Sequence, residues 1–163
     1  MRLKPKKRHR LRRKEVRRIA EEIERALGCQ ALSDSDSVDT ASLRTMDIIY
    51  VNGEVLGLIV EERPFLSVRG LLACCPKNRY VTVDMGAVEF VYNGADVMAP
   101  GVVDADPSIS EGDLAWVRDE RNLQPLAVGV ALMSGREMVN QNKGKALESL
   151  HHVGDALWKM DED

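Results

Sequence analysis

The sequence predicts an α+β protein of two small domains, the second a compact barrel of short strands. Short β-branched runs bounded by Gly, Pro, Asn and Asp recur through most of its 163 residues, as in strands joined by tight turns. One amphipathic helix precedes them, and nothing alternates long helices with strands as a parallel sheet requires. With 44% hydrophobic residues the chain can fill two small cores. Charge or glycine breaks every apolar run well before bilayer length, and no basic-apolar-small leader pattern opens the chain. A cytoplasmic protein with no membrane partner is expected.

Residues 1–13 are expected to form a flexible basic arm. Positions 2–18 hold eleven Lys or Arg against one acid, Glu15, whereas the rest of the chain holds 12 basic and 25 acidic residues, for a net charge of −3. Such charge density, with Pro5 inside it, disfavours folding in isolation, so the arm is expected to order on a polyanion. Its candidate contacts, running into the first helix, are Lys4, Lys6, Lys7, Arg8, Arg10, Arg12, Arg13, Lys14, Arg17 and Arg18.

Residues 14–77 are predicted as the first domain. Val16, Ile19, Ala20, Ile23 and Leu27 fall at helical spacing and Gly28 supplies a stop. Ser33 to Ser37 is a polar surface connection. Leu43 to Val51 reads as a strand, Asn52-Gly53 as a hairpin turn and Glu54 to Val60 as the partner strand, with Pro64 ending the pairing. Ser67 can cap a short helix carrying Val68, Leu71, Leu72 and Cys75, which Gly70 weakens. Pro76-Lys77-Asn78 is the chosen boundary.

Residues 78–163 form the second predicted domain. Tyr80 to Val83 alternates as a strand, Asp84 sits where a helix cap belongs, and Val88 and Val91 share one helical face. Asn93-Gly94 closes that helix through glycine's left-handed freedom. Val97 to Ala99 is the next strand, stopped by Pro100-Gly101. Where a helix end, a glycine and a strand meet, a nucleic-acid backbone can approach closely, although spacing alone fits glycines that only make turns. Leu114 to Val117 and Leu126 to Met133 are further strands, and Ser134 to Glu137 is a small helical turn.

Chemistry is sparse. Three cysteines, Cys29, Cys74 and Cys75, lack the spacing of a zinc site and read as small buried thiols. His151-His152 are adjacent in a strand, so one should be packed and the other exposed to phosphate or base. There is no phosphate loop, nucleophile elbow or dinucleotide fingerprint. No cofactor, metal or catalytic residue is expected. Trp116 is assigned to the core, and Trp158 with Lys159 to a weaker partner surface.

The run DMGAVEFVYNGADVMAPGV from Asp84 resembles the opening of a PUA domain, an RNA-binding module. Gly144 to Met160, GKALESLHHVGDALWKM, resembles its closing strands in the malignant T-cell-amplified-sequence family of translation proteins and its archaeal relatives. MDIIYVNG from Met46 resembles the strand-turn-strand of the pre-PUA domain that precedes the module there. The resemblance implies a small α/β pre-PUA domain followed by a PUA β pseudo-barrel, in a noncatalytic RNA-binding protein of the translation apparatus. It implies partners: tRNA or rRNA, the small ribosomal subunit and a separate initiation-factor-like protein. The implied RNA ledge comprises Gly86, Ala87, Asn93, Gly94, Ala95, Asp96, Met98, Ala99, Pro100 and Gly101, helped by Lys143, Lys145, His151, His152 and Lys159. The rival is an RNA-modification enzyme, of pseudouridine synthase or tRNA transglycosylase type, or a subunit that guides RNA to one. A third possibility is an adaptor whose arm binds acidic proteins.

Overall fold

A computed structural model of the chain describes residues 2–162; Met1 and Asp163, the outer ends of the expected arm and second domain, lie outside them. Its contacts divide the chain into two compact units: one runs to Lys77 and takes back the chain from Ala156 onward, the other is Asn78–Asp155.

In the first unit the expected arm is a strand. β1 (Lys6–Arg10) pairs antiparallel with β2 (Val38–Ser42) at the edge of a five-stranded sheet. An edge strand needs partners on one side only, so a fully exposed basic segment can join a sheet without burying charge. α1 (Arg13–Leu27) follows, burying Val16, Ile19, Ile23 and Leu27, and packs against β5. Gly28 ends it at φ 71°, donating to Glu24 O.

Of the strand predicted over Leu43 to Val51 only Asp47–Val51 forms, and an unpredicted strand, β2, precedes it. β2 pairs with β3 (Asp47–Val51), and the residues between them make a turn in which Leu43 N donates to Met46 O. The hairpin at Asn52-Gly53 stands as expected, with both residues at positive φ, the combination a two-residue hairpin turn demands. Asn52 also accepts from Ser37 N and donates to Asp36, tying the polar connection to the hairpin.

β4 (Glu54–Val60) pairs with β5 (Arg63–Leu66). Pro64 therefore lies within a strand rather than ending one; β5 is the sheet's other edge, where a missing N–H is tolerated. Ser67 caps α2 (Val68–Cys74) by accepting from Gly70 N. Gly70 is a packing requirement: a Cβ there would stand 2.1 Å from the Leu56 carbonyl oxygen.

The cysteines depart from the expected buried thiols. Cys29 and Cys74 are half-buried and Cys75 is exposed at a left-handed helix end. Burial, then the neighbouring Cys74 thiol, push Cys29 up to about 12, which keeps it protonated.

The second unit holds a six-stranded sheet in the order β7-β11-β10-β9-β6-β8. β6 (Tyr80–Val83) runs parallel to β9 (Leu114–Asp119) and antiparallel to β8 (Val102–Ala105). β10 (Pro125–Ala131) and β11 (Lys145–His152) complete the middle, and β7 is only Val97–Met98. β7 and β8 are opposite edges of the sheet, yet a single 3-10 turn, Ala99–Gly101, joins them. Three residues span at most about 10 Å, so the sheet must roll until its edges meet. The fold is α+β, with a nearly closed barrel around Val81, Val83, Leu126, Met138 and Leu147. α3 (Met85–Tyr92) and α4 (Gly135–Asn140) pack on it.

The C-terminal run is one strand, not several. After His152 the chain turns and forms α5 (Ala156–Lys159), which belongs to the first unit. There Arg69 stacks over Trp158 at 3.8 Å and donates to its carbonyl.

Candidate RNA-binding groove at the barrel seam

The seam itself makes a hollow. Asp84 N donates to Gly101 O across it at 3.0 Å, and Ala99 N donates to Gly144 O at 2.8 Å, so the link between the two sheet edges is fixed by backbone bonds. α3 stands beside this link: Asp84 caps it by accepting from Ala87 N at 2.8 Å, and Met85 N donates to Glu120. A Cβ on Gly101 would come within 3.3 Å of Ala87 Cβ, so the absent side chain lets link and helix approach.

Between them lies an open groove of about 620 Å³, whose lining includes Ala87, Phe90, Met98, Pro100, Gly101 and Lys145. Its walls are mainly apolar. Phe90 is 65% exposed and Met98 46% exposed, a large uncovered hydrophobic surface for adjacent positions on one small unit. Lys145 donates to Asp96 at 3.2 Å, and Asp96 also accepts from Ser149 N at 2.9 Å. The Ser149 amide, joined by Lys145, holds the Asp96 carboxyl below the usual carboxylate range.

Of the residues expected on the ledge, Gly86, Ala87, Ala95, Asp96, Met98, Pro100 and Gly101 line this groove, as does Lys145. Asn93 and Gly94 instead close α3. Gly94 stands at φ 86° with its N–H on Val91 O, and a Cβ there would sit 3.0 Å from His152 Nε2. Ala99 is buried at 1% exposure and serves the core.

Of the two histidines, expected to be one packed and one exposed, His151 is packed and His152 is only partly exposed. His151 is 1% exposed and its Nδ1–H donates to Asp155, so it is withdrawn from any surface role. His152 is half-buried; its Nδ1–H donates to the Val153 carbonyl, leaving Nε2 turned to Gly94. Lys143 is exposed beside the strand that carries Lys145, whereas Lys159 lies on α5 in the first unit. Trp116 is buried in the second unit and donates to Asn78 O.

Sequence reasoning missed Asp84, Phe90, Val91 and Val97 as lining residues. Phe90 falls off the Val88–Val91 face, and an aromatic off the buried face of a short helix was the available signal.

On the other unit, Arg8 and Arg10 both engage Asp39, and Arg17 reaches Asp34 at 3.1 Å. Arg10, outweighing burial and helped by Arg8, lowers Asp39, and Arg17 lowers Asp34. Arg12 stands at the N-cap of α1, and its backbone N–H donates to the Glu15 carboxylate at 3.2 Å. Among the described residues no group of three or more His, Cys, Asp or Glu side chains could hold a metal ion, and no helix is long and apolar enough to cross a membrane.

Comparison with known proteins locates a PUA domain at residues 79–153, the stretch that carries the groove. An uncharacterized protein of Methanocaldococcus jannaschii is 39% identical over 94% of this chain and 96% of its own. Translation machinery-associated protein 20 of Schizosaccharomyces pombe is 34% identical over 67% of this chain and 63% of its own. Malignant T-cell-amplified sequence 1 of Rattus norvegicus is 33% identical over 71% and 65%. A crystal structure of a hypothetical protein from Pyrococcus horikoshii superposes with a TM-score of 0.83 at 38% identity, covering 94% of this chain and 98% of that one.

Proposed function

The chain belongs to the PUA-domain proteins related to the malignant T-cell-amplified-sequence and translation machinery-associated 20 families, and on that premise we propose that it is a noncatalytic RNA-binding protein of the translation apparatus. In this reading the first unit is a pre-PUA domain that docks on the small ribosomal subunit. The seam groove engages tRNA or rRNA during initiation or recycling, in the cytoplasm. A separate initiation-factor-like protein completes the action on initiator tRNA.

The observation that carries the reading is the apolar groove at the seam. Its one lining cation is already engaged by Asp96, so the floor suits base faces and ribose better than phosphate. Phe90 offers a stacking face, which supports about 1–3 kcal/mol per base in single-stranded recognition. Lys143, exposed beside the strand that carries Lys145, is left to the phosphates.

Phe90→Ala tests it. The side chain is largely exposed, so the variant should fold with an unchanged thermal midpoint and lose about tenfold in affinity for a single-stranded RNA by fluorescence anisotropy. Unchanged affinity would remove the groove from the account. Phe90 is a cleaner probe than Gly94, whose left-handed backbone makes any side chain strained.

A further inference from the structure

The basic segment that opens the chain is built into the fold rather than trailing from it. β1 is hydrogen-bonded to β2, and Leu11, buried, anchors the turn from β1 into α1. Arg8 and Arg10 are held from below by Asp39, and Arg8 also lies over the Tyr50 ring at 3.7 Å. Along the same corner Lys6, Lys7, Arg12, Arg13 and Lys14 are exposed; Arg13 lies within the field of Asp34, and Arg12 meets Glu15 through its backbone N–H alone. The nearby acids are already engaged: Asp34 by Arg17, Asp36 by Ser33 N and Asn52.

We propose that this β1–α1 corner is a second RNA surface, one that holds the phosphate backbone of a double-helical segment irrespective of sequence. The proposal rests on the reading that the protein works on RNA, and specifies which surface meets a folded one.

Three features favour it. Arg12, Arg13 and Lys14 crowd the first turn of α1, where the helix dipole disfavours cations; only Glu15 opposes them, so a polyanion would relieve what the fold leaves unfavourable. β1 spans about 13 Å from Lys6 to Arg10 at the usual rise, enough to meet successive phosphates with side chains fixed in place. Finally, no stacking platform for a single strand is at hand. Of the three Phe, Tyr or Trp residues of this unit, Tyr50 and Phe65 are buried and Trp158 lies under Arg69.

A peptide adding to the sheet edge fits less well. The β1–β2 register shifts between Lys6 and His9, and Lys7 stands at φ 57°. Such a break, lined with Lys and Arg, is how proteins block edge-to-edge pairing.

The test uses the full chain, a blunt-ended RNA duplex of mixed sequence and a single-stranded RNA, titrated by anisotropy at several KCl concentrations. The triple variant Lys6→Glu/Arg13→Glu/Lys14→Glu should lose at least about tenfold in duplex affinity, with the salt slope reduced by about 3. Lys6→Gln/Arg13→Gln/Lys14→Gln should show a smaller loss in the same direction, which separates charge from misfolding. Phe90→Ala should leave duplex binding unchanged. Unchanged duplex affinity and slope in both folded triple variants would overturn the proposal, as would a wild type that binds a poly-glutamate peptide but no duplex. Corner-dependent duplex binding alongside single-strand binding indifferent to Phe90 would support the corner while rejecting the groove.

Discussion

In the second unit Phe90 and Met98 offer bare apolar surface beside a lysine already engaged by Asp96, whereas in the first unit a corner of exposed cations rises over one shared aspartate. The two regions can both meet RNA, but by different physics. Stacking in a groove depends on shape and is little screened, while a row of cations depends on phosphate charge and falls steeply with salt. The net charge of −3 conceals this division because it averages a basic corner with an acidic remainder.

The largest way to break the comparison is to remove the groove's scaffold. A Cβ on Gly129 would stand 2.1 Å from the Glu148 carbonyl oxygen, backbone that cannot move without parting β10 from β11. Gly129→Ala should therefore destabilise the protein by about 3 kcal/mol in denaturant unfolding. Next in size, Gly94→Ala should lower stability by about 1 kcal/mol through its positive φ, with the ring of His152 displaced in NMR spectra.

The smallest change sharpens the other region. Asp39 carries a carboxyl lowered by Arg10 and Arg8. A group whose folded value lies below its unfolded one stabilises fully above the unfolded value, about 3.9, and loses that contribution as pH falls through the folded value. Asp39→Asn should thus lower the thermal midpoint slightly at neutrality, where the charge contributes in full, and flatten its loss below about pH 4; a curve identical to wild type across the whole range would show that the two arginines do not depend on that charge.

Much of both units was legible because the signals are local. Alternation placed β6, the Asn52-Gly53 turn bounded β4, and Asp84, Ser67 and Ser134 cap their helices through their own side chains. What escaped depends on distant pairing. Lys6 to Arg10 reads as a disordered arm until Val38–Ser42 supplies hydrogen bonds, and Pro64 reads as a stop until β5 proves to be an edge.

The groove shows the same limit. Its glycines and Lys145 could be carried over by family likeness, but Ala99 turned inward and Phe90 outward because the seam between β7 and β8 sets their direction. That closure is a property of the whole sheet order, which no window of sequence contains.

The most direct measurement is photocrosslinking of a single-stranded RNA to the full chain at moderate salt, followed by mapping of the modified peptides. The groove account predicts adducts within residues 84–101, strongest at Phe90 and Met98. Adducts confined to other segments of a folded protein would contradict it.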